Sequence, residues 1–284
     1  TVWRCRDKTF FMGRRVLIMG VLNVTPDSFS DGGKFFKTDK AVERALVMAE
    51  EGADVIDIGG ESTRPGAKPV PAEEELRRVI PVVEQLKKYN EGLALSIDTS
   101  KAAVAREALD RGVEIVNDVT ALTADPEMAK TVAPYGAGLV LMHMQGSPRT
   151  MQEAPHYKDV IAELGEFFDE RLAAVEEAGF DPEQVVLDPG IGFGKTLEHN
   201  LTILAHLREL ERGRRPLLVG VSRKSFLRAL LNLEDDESRL MPTAGAVAAA
   251  VVMGAQAVRV HDVGEMAQVV RVAEAIRGVK IKNE

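Results

Sequence analysis

Apolar and polar positions alternate on a coarse scale, with short apolar runs of strand length separated by longer amphipathic stretches of helix length. The runs fall at Val16 to Leu22, Val55 to Ile58, Leu93 to Ile97, Ile115 to Val116, Gly138 to Met142, Val185 to Leu187, Pro216 to Val221 and Ala257 to Val260, eight in all. Between them the spacing predicts helices over Asp39 to Glu51, Ala72 to Tyr89, Lys101 to Arg111, Pro126 to Ala133, Asp159 to Ala178, Leu197 to Leu210 and Lys224 to Gly254, the last with a break near Leu233 to Glu237. A final helix, Val263 to Arg277, closes the pattern. Strands buried on both faces that alternate with helices imply a parallel sheet. Eight such units in about 260 residues fit a single (β/α)8 TIM barrel of the α/β class. A doubly wound open sheet is the alternative, because periodicity does not say whether a sheet closes.

Ahead of these units, Val2 to Phe11 alternates around Asp7-Lys8 as a turn, which predicts a short N-terminal hairpin within residues 1–14. No Pro/Gly/Ser-rich linker or shift of composition divides the chain, so residues 1–284 read as one domain.

The runs end in polar or ionisable residues: Asn23, Asp57, Asp98, Asn117 with Asp118, His143, Asp188, Ser222-Arg223-Lys224-Ser225, and Arg259-Val-His261-Asp262. In a parallel barrel all the C-terminal strand ends share one face, so these groups converge on one mouth. A lone carboxylate or amide in such a place is most often a helix cap or the partner of a cation. Asp98, Asn117 and Asp188 together instead offer acceptors and donors to the edge of a flat, nitrogen-rich heterocycle. Arg64, Arg223, Lys224, Arg259 and His261 bring positive charge to the same mouth. Ser222, Arg259 and His261 adjoin the loops after the seventh and eighth strands, which phosphate-binding barrels commonly use.

Asn23 to Gly33 follows the first run and carries Asn, Thr-Pro, two Asp and a Gly pair, a composition suited to a metal or phosphate. Asp188-Pro-Gly-Ile-Gly-Phe-Gly-Lys195-Thr196 lacks the Gly-x-x-x-x-Gly-Lys spacing of a P-loop. Its glycines are expected to let the backbone pass close to a flat ligand, with Phe193 as a wall. His143 and His261 have neither paired-histidine spacing nor cysteine support, which argues against zinc.

A net charge of -8 argues against a general nucleic-acid binder without excluding a local phosphate pocket. The single cysteine, Cys5, cannot form an internal disulfide, so a reducing, cytoplasmic compartment is expected. The first residues show no apolar core or cleavage pattern of a secretion signal. The longest uncharged run, Leu240 to Val258, is interrupted by Pro242, Gly245, Gly254 and Gln256. It reads as a buried helix leading into a strand, and no membrane association is expected.

The segments Met19-Gly-Val-Leu-Asn-Val-Thr-Pro-Asp-Ser-Phe-Ser-Asp-Gly-Gly33 and Gly52-Ala-Asp-Val-Ile-Asp-Ile-Gly-Gly-Glu-Ser-Thr-Arg-Pro-Gly-Ala67 resemble the two signatures of the dihydropteroate synthase family. Ser96-Ile-Asp-Thr, Asn117-Asp-Val, Met142-His-Met-Gln-Gly, Leu187-Asp-Pro-Gly-Ile-Gly-Phe-Gly-Lys195, Ser222-Arg-Lys-Ser225 and Arg259-Val-His-Asp262 extend the resemblance over almost the whole length. It implies a transferase of folate biosynthesis that joins p-aminobenzoate to 6-hydroxymethyl-7,8-dihydropterin diphosphate. The products would be 7,8-dihydropteroate and diphosphate.

Carried over by residue, the resemblance implies a pterin pocket of Asp98, Asn117, Asp188 and Lys224, lined by Met142, Phe193 and Gly220. Asn23, Arg259 and His261 would hold the diphosphate, with Asn23 a ligand of Mg²⁺. Thr63, Arg64, Pro65, Ser222, Phe193 and Phe29 would shape the p-aminobenzoate side. Thr25 to Gly33 would act as a cover that closes over the mouth and brings Asp31 to the leaving group or metal. Asp31, Asp98, Asp188, Lys224, Arg259 and His261 are the expected catalytic groups. Two rivals share the pocket: a methyltransferase acting on methyltetrahydrofolate, and an inactive pterin-binding paralogue. The resemblance also suggests a homodimer, for which the apolar helix at Ala244 to Met253 is a candidate surface.

Overall fold

A computed structural model of the chain describes residues 1–13, 15–25, 34–63, 66–234 and 238–278. Strands β1 (Val2–Cys5) and β2 (Lys8–Phe11) pair antiparallel, Cys5 opposite Lys8. The turn is therefore Arg6-Asp7, and Lys8, expected within it, opens β2. Arg6 takes a left-handed φ of 59°, and its N–H donates to Gly136 O at 2.8 Å while its guanidinium caps the carbonyls of Leu109 and Val113 at 2.6 and 3.0 Å. Those bonds hold a conformation that a side chain otherwise disfavours.

Eight parallel strands follow: β3 (Leu17–Asn23), β4 (Val55–Gly59), β5 (Ala94–Asp98), β6 (Ile115–Asp118), β7 (Gly138–Met142), β8 (Val185–Asp188), β9 (Leu218–Val219) and β10 (Ala257–Val260). Their order is β8-β7-β6-β5-β4-β3-β10-β9. The remaining seam, between β8 and β9, is bridged in parallel at Leu187 and Leu217, with Leu187 N donating to Pro216 O at 2.9 Å. This closes the sheet into a barrel and removes the open-sheet alternative. The seventh run, expected over Pro216 to Val221, is a strand only at Leu218 and Val219, with the isolated bridge at Leu217 before it, and Pro216 has no N–H to extend the ladder.

Helices α1 (Lys34–Glu51), α2 (Ala72–Tyr89), α3 (Ala102–Asp110), α4 (Met128–Val132), α5 (Val160–Glu177), α6 (Leu197–Ala205), α7 (Ser225–Leu231), α8 (Leu240–Val252) and α9 (Val263–Gly278) surround the strands. Their ends follow local chemistry. Asp159 caps α5 by accepting from Ile161 N and Ala162 N, and Thr196 with His199 forms a capping box on α6. The stretch expected as one helix from Leu197 to Leu210 changes at His206 into a 3-10 turn, Leu207–Leu210. The uncharged run ends as α8 and β10, and no helix among the described residues is long and apolar enough to cross a membrane.

Alternation along each strand sorts the core into two clusters. Outward residues such as Ile56, Ile58, Ile97 and Val116 pack under the helices. Inward residues at the strand starts, among them Leu17, Val55, Ala94 and Ile115, pack with Trp3, Cys5 and Met12 of the N-terminal segment. The hairpin thus plugs the end of the barrel opposite the mouth, and Trp3 Nε1 secures it by donating to Gln184 O at 2.8 Å. Trp3 is fully buried, so its truncation would cost about 3–5 kcal/mol.

Candidate active site

The same alternation decides what faces the mouth. Ile56 and Ile58 face the helices, so the intervening Asp57 points into the barrel, where it is fully buried. Its Oδ2 accepts from Asn117 Nδ2 at 2.9 Å and from Arg259 Nε at 2.6 Å. Arg259 Nη2 reaches on to Asp98 Oδ2 at 2.6 Å. One guanidinium from β10 thereby joins carboxylates from β4 and β5.

Burial pushes the Asp98 carboxyl up to about 7; the Arg259 charge opposes this and the Asp57 charge adds to it. Burial also works against the Arg259 charge, but Asp57 and Asp98 more than offset it and hold the guanidinium above its ordinary range. Asn23, the last residue of β3, stands beside Asp98 across Gly59: a Cβ placed on Gly59 would lie 3.8 Å from Asn23 Oδ1 and 3.7 Å from Asp98 Oδ2.

On the opposite wall, Asp188 ends β8 and its Oδ1 accepts from Gly190 N at 2.7 Å. Burial raises its pKa, while Lys224, that N–H and Arg259 pull it down. Lys224, at the start of α7, donates to Ile191 O and lies over the Phe193 ring at 4.6 Å. Burial lowers its pKa to about 8 against the pull of Asp188. Met142 is opposite Asp188 in the sheet register and almost fully buried.

The glycine-rich loop packs closely against protein. Gly190, Gly192 and Gly194 all take left-handed φ values, and a Cβ on Gly190 or Gly194 would strike His143 O at 1.9 Å or Gln145 O at 2.4 Å. These glycines let the loop lie against the end of β7, and Gly192 meets Lys224; within the chain, their close approaches are to protein. Gly220 has room: a Cβ there would lie 3.6 Å from Lys224 Nζ and 3.8 Å from Arg259 Cβ.

At the rim, Ser222 Oγ lies 3.0 Å from His261 Nδ1 and accepts from His261 N at 3.2 Å, which ties the ends of the seventh and eighth units together. Arg223, expected to charge the mouth, is instead half exposed and paired with Asp262 through Nε at 3.0 Å. His143 also leaves the open mouth. It is buried, with Nδ1 2.9 Å from Lys195 Nζ, and Lys195 in turn donates to Phe193 O at 3.0 Å.

Thr63 follows a braced segment in which Glu61 Oε1 accepts from Val70 N at 2.9 Å and Lys101 bridges Glu61 to the buried Glu75. Phe29, Asp31, Arg64 and Pro65 lie outside the described residues. Sequence reasoning placed Asp57 at a strand end without a role. The available signal was a carboxylate between two isoleucines in a strand buried on both faces.

A pocket that gathers buried carboxylates, an amide, a lysine, an arginine and a histidine at one mouth suits a heterocycle carrying an anionic tail. A family profile described as "Pterin binding enzyme" matches residues 19–261. Dihydropteroate synthase of Escherichia coli (strain K12) is 49% identical over 263 residues, covering 93% of this chain and 92% of that protein. The chain belongs to the dihydropteroate synthase family. These enzymes are transferases. Among solved members, the Xanthomonas albilineans dihydropteroate synthase with 4-aminobenzoic acid superposes with a TM-score of 0.90 at 45% identity, covering 99% of this chain and 100% of that one. The same species' dihydropteroate synthase in complex with 7,8-dihydropteroate gives 0.87 at 41% identity, with 99% and 100% coverage.

Proposed function

We propose that the chain joins p-aminobenzoate to 6-hydroxymethyl-7,8-dihydropterin diphosphate, with the bond to diphosphate breaking ahead of amine attack. The convergence of Asp98, Asn117, Asp188, Lys224 and Arg259 at one mouth carries this reading. Asp98 and Asp188 accept from ring N–H and amino groups and favour positive charge on the pterin. Asn117 and Lys224 complete the ring's hydrogen bonds, with Met142, Phe193 and Gly220 along its faces. Arg259 and His261 bind the diphosphate, and Ser222 orients the His261 ring. As the C–O bond at the pterin methylene breaks, its electrons leave with diphosphate. The aromatic amine then forms the C–N bond and gives up a proton.

Mg²⁺ fits the donor set. Asn23 offers one hard amide oxygen beside Asp98, and no group of three or more His, Cys, Asp or Glu capable of holding a metal occurs among the described residues. Mg²⁺ typically takes one or two protein oxygens and completes its shell with water and substrate phosphate. When bound, the ion would neutralise charge on the departing diphosphate. Thr63, Arg64, Pro65 and Phe29 are assigned to the p-aminobenzoate side, and Asp31 to the leaving group.

The similarity to dihydropteroate synthases favours the synthase over the methyltransferase, and the presence of each expected group within the described residues speaks against an inactive paralogue. The whole chain reads as one cytoplasmic pterin-binding domain that forms a homodimer. Exposed Leu231, Met241, Met253, Val272 and Ile276 on or beside α7, α8 and α9 suit a second copy. The test is direct: purified protein is mixed with both substrates, with and without chelator. Dihydropteroate formed only without chelator is the expected result, and no product in either case overturns the reading.

A further inference from the structure

Asp57 is absent from every substrate role assigned above, yet it is the most buried charged group of the mouth. It has no exposed surface, and one oxygen, Oδ2, accepts both from Asn117 Nδ2 at 2.9 Å and from Arg259 Nε at 2.6 Å. Oδ1 has no hydrogen-bond partner among the described residues. Its register partner Ser96 is likewise fully buried, with an unpartnered Oγ. A carboxylate held in such surroundings is costly, and the two bonds to Oδ2 are what the fold gains from it.

Those bonds have directional consequences. Arg259 is held through Nε by Asp57 and through Nη2 by Asp98, and a guanidinium fixed at both points has its plane set for phosphate recognition. An asparagine whose NH2 donates to Asp57 must turn its carbonyl away, as an acceptor for a ring N–H. A single buried oxygen therefore sets the orientation of one group for the anionic tail and another for the heterocycle.

We propose that Asp57 is a positioning residue that holds Arg259 for the diphosphate and fixes the Asn117 amide for the pterin. The proposal rests on the pocket assignment made above. Asp57→Asn separates the two tasks, since an amide carbonyl still accepts from Asn117 but the charge that anchors Arg259 Nε is gone, leaving the ionic contact of Nη2 with Asp98 alone. Asp57→Ala removes both.

The test is calorimetric binding of two probes, 6-hydroxymethylpterin and its dihydropterin diphosphate with Mg²⁺, to wild type, both variants, Arg259→Met and Asp57→Asn/Arg259→Met. Hydrogen bonds to charged groups set the scale: Asp57→Asn is expected to weaken the diphosphate by at least about tenfold and the free pterin by less than about threefold. In the Arg259→Met background the same change adds less than about twofold, because the two residues act through one contact. Asp57→Ala weakens both probes.

Equal weakening of both probes by Asp57→Asn, or its full effect persisting without Arg259, overturns the role of Asp57 alone. Wild type that binds neither probe overturns the pocket assignment and this inference with it. Should a variant not fold, a crystal structure of the wild type with both substrates' analogues decides. The Asp57–Arg259 Nε contact is expected to persist there, and its loss overturns the proposal.

Discussion

Lys195 and His143 form a buried pair in which Nζ lies 2.9 Å from the imidazole Nδ1. Burial first, then the Lys195 charge, lower the His143 pKa from 6.5 to about 3. Burial also drives Lys195 well below its ordinary value, with Asp188 opposing. Below 6.5 the unfolded chain takes up a proton that the folded chain refuses, so stability falls as pH drops from 6.5 towards 3. Urea unfolding of wild type and His143→Gln over that range should give free-energy slopes that differ by about 1 kcal/mol per pH unit. Parallel slopes would remove the pair from the acid response.

The glycine loop yields a contrast. Gly190→Ala places a methyl 1.9 Å from His143 O at a left-handed φ, and should cost more than about 2 kcal/mol while displacing Phe193 and the Lys224 contact. Gly220→Ala meets only ordinary contacts at 3.6 and 3.8 Å, so the fold should keep its stability to within about 1 kcal/mol while free pterin binds more weakly. Thermal unfolding and pterin titration of the two variants check this, and similar melting temperatures would contradict it.

The activity should trace two limbs. Asp98 must be ionised to accept a ring N–H, so kcat/KM is expected to fall as pH drops through about 7. Lys224 must be protonated to donate, so it is expected to fall again as pH rises through about 8. Lys224→Arg, which does not titrate in this range, should move the alkaline limb and leave the acid limb. An unchanged alkaline limb in that variant would assign it elsewhere.

Early departure of diphosphate predicts rehybridisation at the pterin methylene before amine attack. Substrate deuterated at that carbon should turn over more slowly than unlabelled substrate, a normal secondary effect on kcat/KM. An effect at or below unity would mean that attack keeps pace with departure.

The barrel was legible because each run of apolar residues is buried on both faces and each ends in a polar group. α2 falls on Ala72–Tyr89 as expected, its first turn acidic at Glu73 to Glu75 and its last turn basic at Lys87 and Lys88. The hairpin turn was displaced because the bonds that permit a left-handed Arg6 come from Leu109, Val113 and Gly136, far away in sequence. At the site, the convergence of Asp98, Asn117, Asp188 and Arg259 was legible from the strand ends, since parallel topology alone brings them together. The pairing of Lys195 with His143, and of Arg223 with Asp262, depends on how loops fold back, which periodicity does not encode. The bonds through Asp57 were hidden for another reason: the aspartate was visible, but its partners lie on β6 and β10.

The hairpin plug has a consequence at the bench. Trp3 is the sole tryptophan of the chain and Cys5 the sole cysteine, and both are sealed at the end of the barrel remote from the mouth. Indole emission and thiol labelling therefore report on the barrel's closed end. The Cys5 thiol should stay unreactive when substrates bind and become labelled when the plug is released, so one native sample carries its own unfolding gauge.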